Sequence, residues 1–131
     1  MIIIIAIAVV IMVSTLLLYL FPLIKVEGDS MLPTYSEGKI LMGCRLFDKK
    51  DCKCGRVYII HLKDDEQGNP YYIVKRLHRV ELNSITGETR YFFLGDNLRV
   101  SADNRVFGYF KPSQIVAKVV ERRVKSNGEK L

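Results

Sequence analysis

The chain opens on an unbroken apolar run. Residues 1–24 carry no charged side chain, and only Ser14 and Thr15 among them are polar. Wound as a helix, such a stretch reaches about 36 Å, enough to cross a hydrocarbon core of about 30 Å. The pattern predicts one membrane-spanning helix that stays attached to the chain. A cleaved secretory leader would want a basic front, a shorter apolar run and a small-residue cut site. Here no Lys or Arg precedes the run, and Pro22, Leu23, Ile24 and Lys25 do not read as a cut site. The uncharged front predicts either a cytoplasmic leader ahead of it or a late start codon.

After residue 25 the pattern changes. Residues 39–43, 56–62, 71–80, 90–94 and 114–122 are rich in Val, Ile, Tyr or Phe and are bounded by turn residues, which predicts strands. Residues 64–70 (DDEQGNP) and 84–88 (SITGE) read as hairpin loops, and residues 26–38 as a polar, turn-like connector. No long amphipathic helix follows the apolar run. The expected architecture is mostly β, a small barrel or coiled sheet over residues 25–124, behind the 1–24 anchor and ahead of a charged, loose tail at 125–131.

At 131 residues the chain has room for one modest core. Lys and Arg outnumber Asp and Glu by 20 to 14, and all of these charges follow the apolar run. Excess positive charge favours an anionic partner surface. A phospholipid bilayer is expected rather than nucleic acid, because the anchor already places the domain at a membrane. The aromatic-basic interleaving of a single-strand binder is also missing. A positive-inside count would hold this basic domain in the cytoplasm, but that count is weak for large domains. Cys44, Cys52 and Cys54 are an odd number, so at least one thiol has no partner within the chain, and the pairing stays open. Their spacing, with His61 as the nearest fourth ligand, is not a zinc pattern, and no metal or cofactor is expected.

Three segments carry candidate chemistry. In Gly28–Thr34 (GDSMLPT), a serine sits between an acidic residue and an apolar pair; Gly28 frees the backbone and Pro33 stiffens the turn. On its own this is as much a surface turn as a site. In Tyr71–Val80 (YYIVKRLHRV), Lys75 directly follows an apolar run. A free lysine, with a pKa of roughly 10.4, is a poor base near neutrality. Burial disfavours the ammonium, and the neutral amine can then take a proton from a hydroxyl. A lone strand-end lysine, by contrast, ordinarily points to water. In Phe92–Gly108, a Gly95-Asp96-Asn97 turn precedes Ser101, Asp103 and Arg105 at alternating positions. If extended, that stretch presents a hydroxyl, a carboxylate and a guanidinium on one face, although taken alone it also reads as a solvated loop.

The three segments, in this order and behind an anchor, resemble the type I signal peptidase family. They are similar to its serine box, its lysine box and its GDN-x(3)-S-x-D-x-R box. The resemblance implies a membrane-bound serine endopeptidase that removes signal peptides from exported preproteins, near the export translocon. It implies a catalytic domain on the extracytoplasmic side of the cell membrane. Carried over residue by residue, it makes Ser30 the nucleophile and Lys75 the general base, a recognised variant of serine protease chemistry. Ser101 would hold Lys75, Asp103 and Arg105 would brace that region, and Asp96 would shape its turn. The Ser30 N–H would serve the oxyanion; where some members carry a serine donor two residues earlier, this chain has Gly28. The substrate would lie as an added strand, with shallow pockets for small residues at −1 and −3 formed by Val26, Met31, Tyr35, Ile73 and Val74.

The chain departs from the pattern in two places. Leu77-His78-Arg79-Val80 stands where many members carry a glycine- and proline-containing stretch, and Leu98 stands where an arginine is common. A eukaryotic-type branch uses histidine as base. Here Lys75 holds that register, and His78 lies an odd number of residues on, so it is expected on the opposite strand face. The rival readings are weaker. A self-cleaving repressor would carry a DNA-binding domain where the anchor stands. Ser36-Glu37-Gly38-Lys39 matches S-x-x-K of penicillin-recognising enzymes only literally, without the companion motifs. A non-catalytic membrane-anchored β-module on the same scaffold, or a protease dedicated to a few substrates, is the alternative of another class.

Overall fold

The computed structural model describes residues 1–97, 99 and 109–121. The apolar run forms helix α1, Ile2–Leu20, of 19 residues. It extends about 28 Å, close to the thickness of a hydrocarbon core. None of its residues is buried against the rest of the chain. A helix this apolar with no buried residue matches a lipid environment.

Among the described residues seven strands follow: β1 (Leu23–Lys25), β2 (Ile40–Cys44), β3 (Val57–Asp64), β4 (Pro70–Leu82), β5 (Thr89–Leu94), β6 (Tyr109–Phe110) and β7 (Ile115–Val119). They make one sheet in the order β1-β2-β7-β3-β4-β5-β6. Every pairing is antiparallel. The five predicted strands are all present, with ends shifted by a few residues. β1 and β6, with three and two residues, are too short to register as patterns. They are also the two ends of the sheet, which among the described residues does not close into a barrel. The helix stops before the apolar run does, because Leu23, Ile24 and Lys25 pair with Met42, Leu41 and Ile40.

The β3–β4 hairpin closes on the Asp65 carboxylate, which accepts N–H bonds from Gln67 at 2.9 Å and Asn69 at 2.7 Å. Gly68 takes φ +83°, where a side chain would be strained. The predicted loop at 64–70 is therefore built by Asx chemistry.

β3 is buried on both faces, which explains its apolar run without alternation. Val57 and Ile59 join Leu41, Val74, Ala117 and Val119 on one side, covered by Val26, Met31 and Tyr35. Tyr58 and Ile60 join Leu77, Tyr91, Phe93, Phe110 and Ile115 on the other, where the Tyr58 and Phe93 rings meet edge to face at 6.0 Å.

The long β4 changes partner along its length. Its residues 70–76 pair with β3, and its residues 76–82 pair with β5. Among the described residues, the second edge of 70–75 and the outer edge of β1 both lack a strand.

Candidate active site

The serine loop is pinned from both ends of its motif. Gly28 adopts φ +74°, a region open to glycine and strained for other residues. Met31, one position after Ser30, is fully buried in the core under the sheet. Apolar burial thus fixes the backbone beside a serine that stays partly exposed.

Lys75 is 7% exposed, the one buried charged side chain among the described residues. It sits on β4 opposite Tyr58, directly after Ile73 and Val74. Desolvation pushes its ammonium below the ordinary 10.5.

Ser30 and Lys75 line the same cavity, of about 430 Å³. Its two walls are residues 23–27 and residues 70–75. These include the two strand edges that carry no neighbour among the described residues. Val26, Met31, Ile73 and Val74 also line it.

Tyr35, the remaining residue of the expected substrate set, does not line the cavity. Its ring lies in the core and its hydroxyl donates to the Glu121 carboxylate at 3.4 Å. Burial and the Glu121 charge both push its pKa up.

Asp96 makes contacts well beyond its own turn. It takes two hydrogen bonds from Arg76, Nε to Oδ1 and Nη2 to Oδ2, each 2.8 Å. It also accepts the Thr34 hydroxyl. The Arg76 hydrogen bonds hold the Asp96 carboxyl below the usual carboxylate range. The next residue extends the clamp. The Asn97 N–H donates to the Ser30 carbonyl and its side-chain amide donates to the Asp29 carbonyl, each at 2.9 Å. Arg76 reaches two further groups, the Gly55 carbonyl at 2.7 Å and the Glu121 carboxylate at 3.7 Å. The Asp96-Asn97 turn therefore ties the serine loop to the lysine strand.

Arg76, Thr34, Asn97 and Glu121 were not singled out by the sequence reading. Arg76 and Asn97 stood beside residues that were, and strand alternation sends Arg76 to the side opposite Lys75. Glu121 left no signal, since it meets Arg76 only through the fold. Ser101, Asp103 and Arg105 lie outside the described residues, as do Leu98 and the tail at 125–131. His78 is exposed and does not line the cavity. It falls where the β4–β5 register shifts between Leu77 and Arg79, and its ring packs edge-on against Phe92 at 6.1 Å. Among the described residues, no three His, Cys, Asp or Glu side chains are grouped to hold a metal ion.

Comparison with known proteins gives two matches. Residues 74–123 match the family described as signal peptidase, peptidase S26. The matched span holds both the Lys75 position and the Asp96-Asn97 turn. A protein of Bacillus caldolyticus named Signal peptidase I is 32% identical, over 82% of this chain and 81% of its own.

Proposed function

The chain belongs to the signal peptidase family, peptidase S26, and on that premise we propose that it is a single-pass membrane serine endopeptidase that cuts signal peptides from exported preproteins. The proposed site faces the extracytoplasmic side, near the translocon that delivers its substrates. Ser30 is the nucleophile and Lys75 the general base. The neutral Lys75 amine takes the Ser30 Oγ proton as Oγ attacks the scissile carbonyl. The Ser30 N–H stabilises the oxyanion, with no side-chain donor from Gly28. The Lys75 ammonium then protonates the leaving amine, and water releases the acyl group from Ser30. Ser101, Asp103 and Arg105 are assigned supporting roles by resemblance to the family.

The observation that carries this reading is one cavity lined by Ser30 and a buried Lys75, between two strand edges free among the described residues. A substrate strand laid between residues 23–27 and 70–75 would gain main-chain hydrogen bonds from both walls. Small side chains at −1 and −3 would face Val26, Met31, Ile73 and Val74. Specificity for small residues follows from a groove whose floor is already filled by core side chains.

The test is the initial cleavage rate of a preprotein with an Ala-x-Ala site, in detergent. Wild type should cut after the second alanine, while Ser30→Ala and Lys75→Ala should be folded and inactive. Retained cutting by Lys75→Ala places the base elsewhere. An inactive wild type favours a non-catalytic module or a narrowly dedicated enzyme.

A further inference from the structure

The last turn of α1 is fastened to the sheet by β2 and the residue after it. A helix end leaves its final carbonyls without helical partners, and that cost is high at a membrane. Here the chain beyond the helix supplies the donors. The Arg45 side chain donates from Nε to the Tyr19 carbonyl at 2.8 Å. The Arg45 N–H donates to the Leu20 carbonyl at 2.8 Å, and the Gly43 N–H to the Pro22 carbonyl at 2.7 Å. The guanidinium carbon also lies 4.8 Å from the centre of the Tyr19 ring. A cation over an aromatic face and at a helix C-terminus is favourable on both counts. Tyrosine and arginine are also residues that settle at a membrane surface.

Gly43 completes the joint. A Cβ at this position would lie 2.9 Å from Ile59 Cδ1, 3.0 Å from Ala117 Cβ and 3.3 Å from Pro22 Cγ. The absence of a side chain at Gly43 lets Pro22, Ile59 and Ala117 pack closely around this backbone. Pro22 leads directly into β1, whose residues form one wall of the cavity. The helix end, Pro22 and the groove wall are thus consecutive in the chain and bonded to β2 and to Arg45 just after it.

We propose that Arg45 is a positioning residue, which locks the membrane helix to the sheet and so sets the height of the substrate groove above the bilayer. The proposal rests on the protease reading given above. A signal peptide held in the same bilayer presents its cut site at a height set by its own apolar length. A rigid joint keeps the groove at the matching height, so alignment costs no further ordering. A short peptide in free solution gains nothing from this arrangement.

The experiment compares wild type, Arg45→Ala and Arg45→Lys in nanodiscs of phosphatidylcholine and phosphatidylglycerol. Two substrates are used, a preprotein inserted in the same discs and a short soluble Ala-x-Ala peptide. A third readout is the distance distribution between spin labels at Ile11→Cys and Ile85→Cys, with Cys44, Cys52 and Cys54 replaced. Arg45→Ala should cut the inserted preprotein about tenfold more slowly. Its rate on the soluble peptide should stay within about twofold, since alignment to the bilayer does not limit that reaction. Its distance distribution should broaden, and Arg45→Lys should fall between the two. An unchanged distribution overturns the proposal, as does an equal effect on both substrates. A wild type that cuts neither substrate, with a distribution that broadens in Arg45→Ala, overturns the reading as a general signal peptidase and leaves the lock standing.

Discussion

Arg76 and Asp96 face each other through two parallel hydrogen bonds of 2.8 Å across the β4–β5 pair. The planar fork of the guanidinium matches the carboxylate, so the pair fixes orientation as well as distance. It adjoins Lys75 on one strand and, through Asn97, holds the Ser30 carbonyl. A link between two candidate catalytic segments therefore runs through residues that do no chemistry themselves.

Removing Asp96 should loosen both segments together. Asp96→Ala leaves a half-buried guanidinium without its main partner and should cost about 1–3 kcal/mol of stability. The cleavage rate should fall about tenfold or more as the serine loop drifts. Because the folded-state carboxyl pKa is lowered, the pair contributes fully above the unfolded value near 3.8 and fades as pH falls through the folded value. Denaturation midpoints of wild type and Asp96→Asn should differ at neutral pH and converge in acid.

The buried Lys75 makes the opposite pH signature. Its folded pKa lies below the ordinary 10.5, so the unfolded chain binds more protons between the two values. The burden of burying the ammonium is largest at low pH and lifts as pH rises. Lys75→Met should melt higher than wild type at neutral pH, with a gap that narrows toward pH values of about 10. The wild-type cleavage rate should climb with pH with a midpoint below 10.5. His78→Ala, on an exposed ring outside the cavity, should keep the rate within about twofold and the same midpoint. A shifted midpoint would move the base to His78.

Specificity should separate the residues that line the groove from the one that does not. Ile73→Ala opens a wall, and should raise the relative rate on preproteins with a larger residue at −1 or −3 by about tenfold. Tyr35→Phe removes only the 3.4 Å bond to Glu121 and should leave the preference as it was. Competition between two preproteins in one reaction reads both results directly.

Gly43→Ala tests close packing at the joint. The new methyl meets Ile59 and Ala117 at 3.0 Å or less, and overpacking of this kind should cost about 1–3 kcal/mol. The thermal midpoint should drop while far-ultraviolet circular dichroism stays the same. A midpoint equal to wild type would mean that Ile59 and Ala117 yield to the methyl without cost.

Much of this protein was legible in one dimension. The apolar run, the five main strands and both hairpin loops follow from local pattern and turn chemistry, because burial and backbone preference repeat with the period of each element. The serine, lysine and GDN segments were visible as motifs, and a buried lysine could be expected from the apolar run before it. Tertiary structure decided the rest. It drew Leu23 and Ile24 out of the expected anchor into the sheet, left that sheet open among the described residues, and placed Tyr35 in the core. It passed β4 from β3 to β5 at Arg76, which leaves residues 70–75 with an edge free of strands among the described residues. Pairing register and the convergence of distant side chains, such as Arg76 with Asp96 or Arg45 with Tyr19, depend on which strands become neighbours. That choice minimises the free energy of the whole chain, and no local window of sequence contains it.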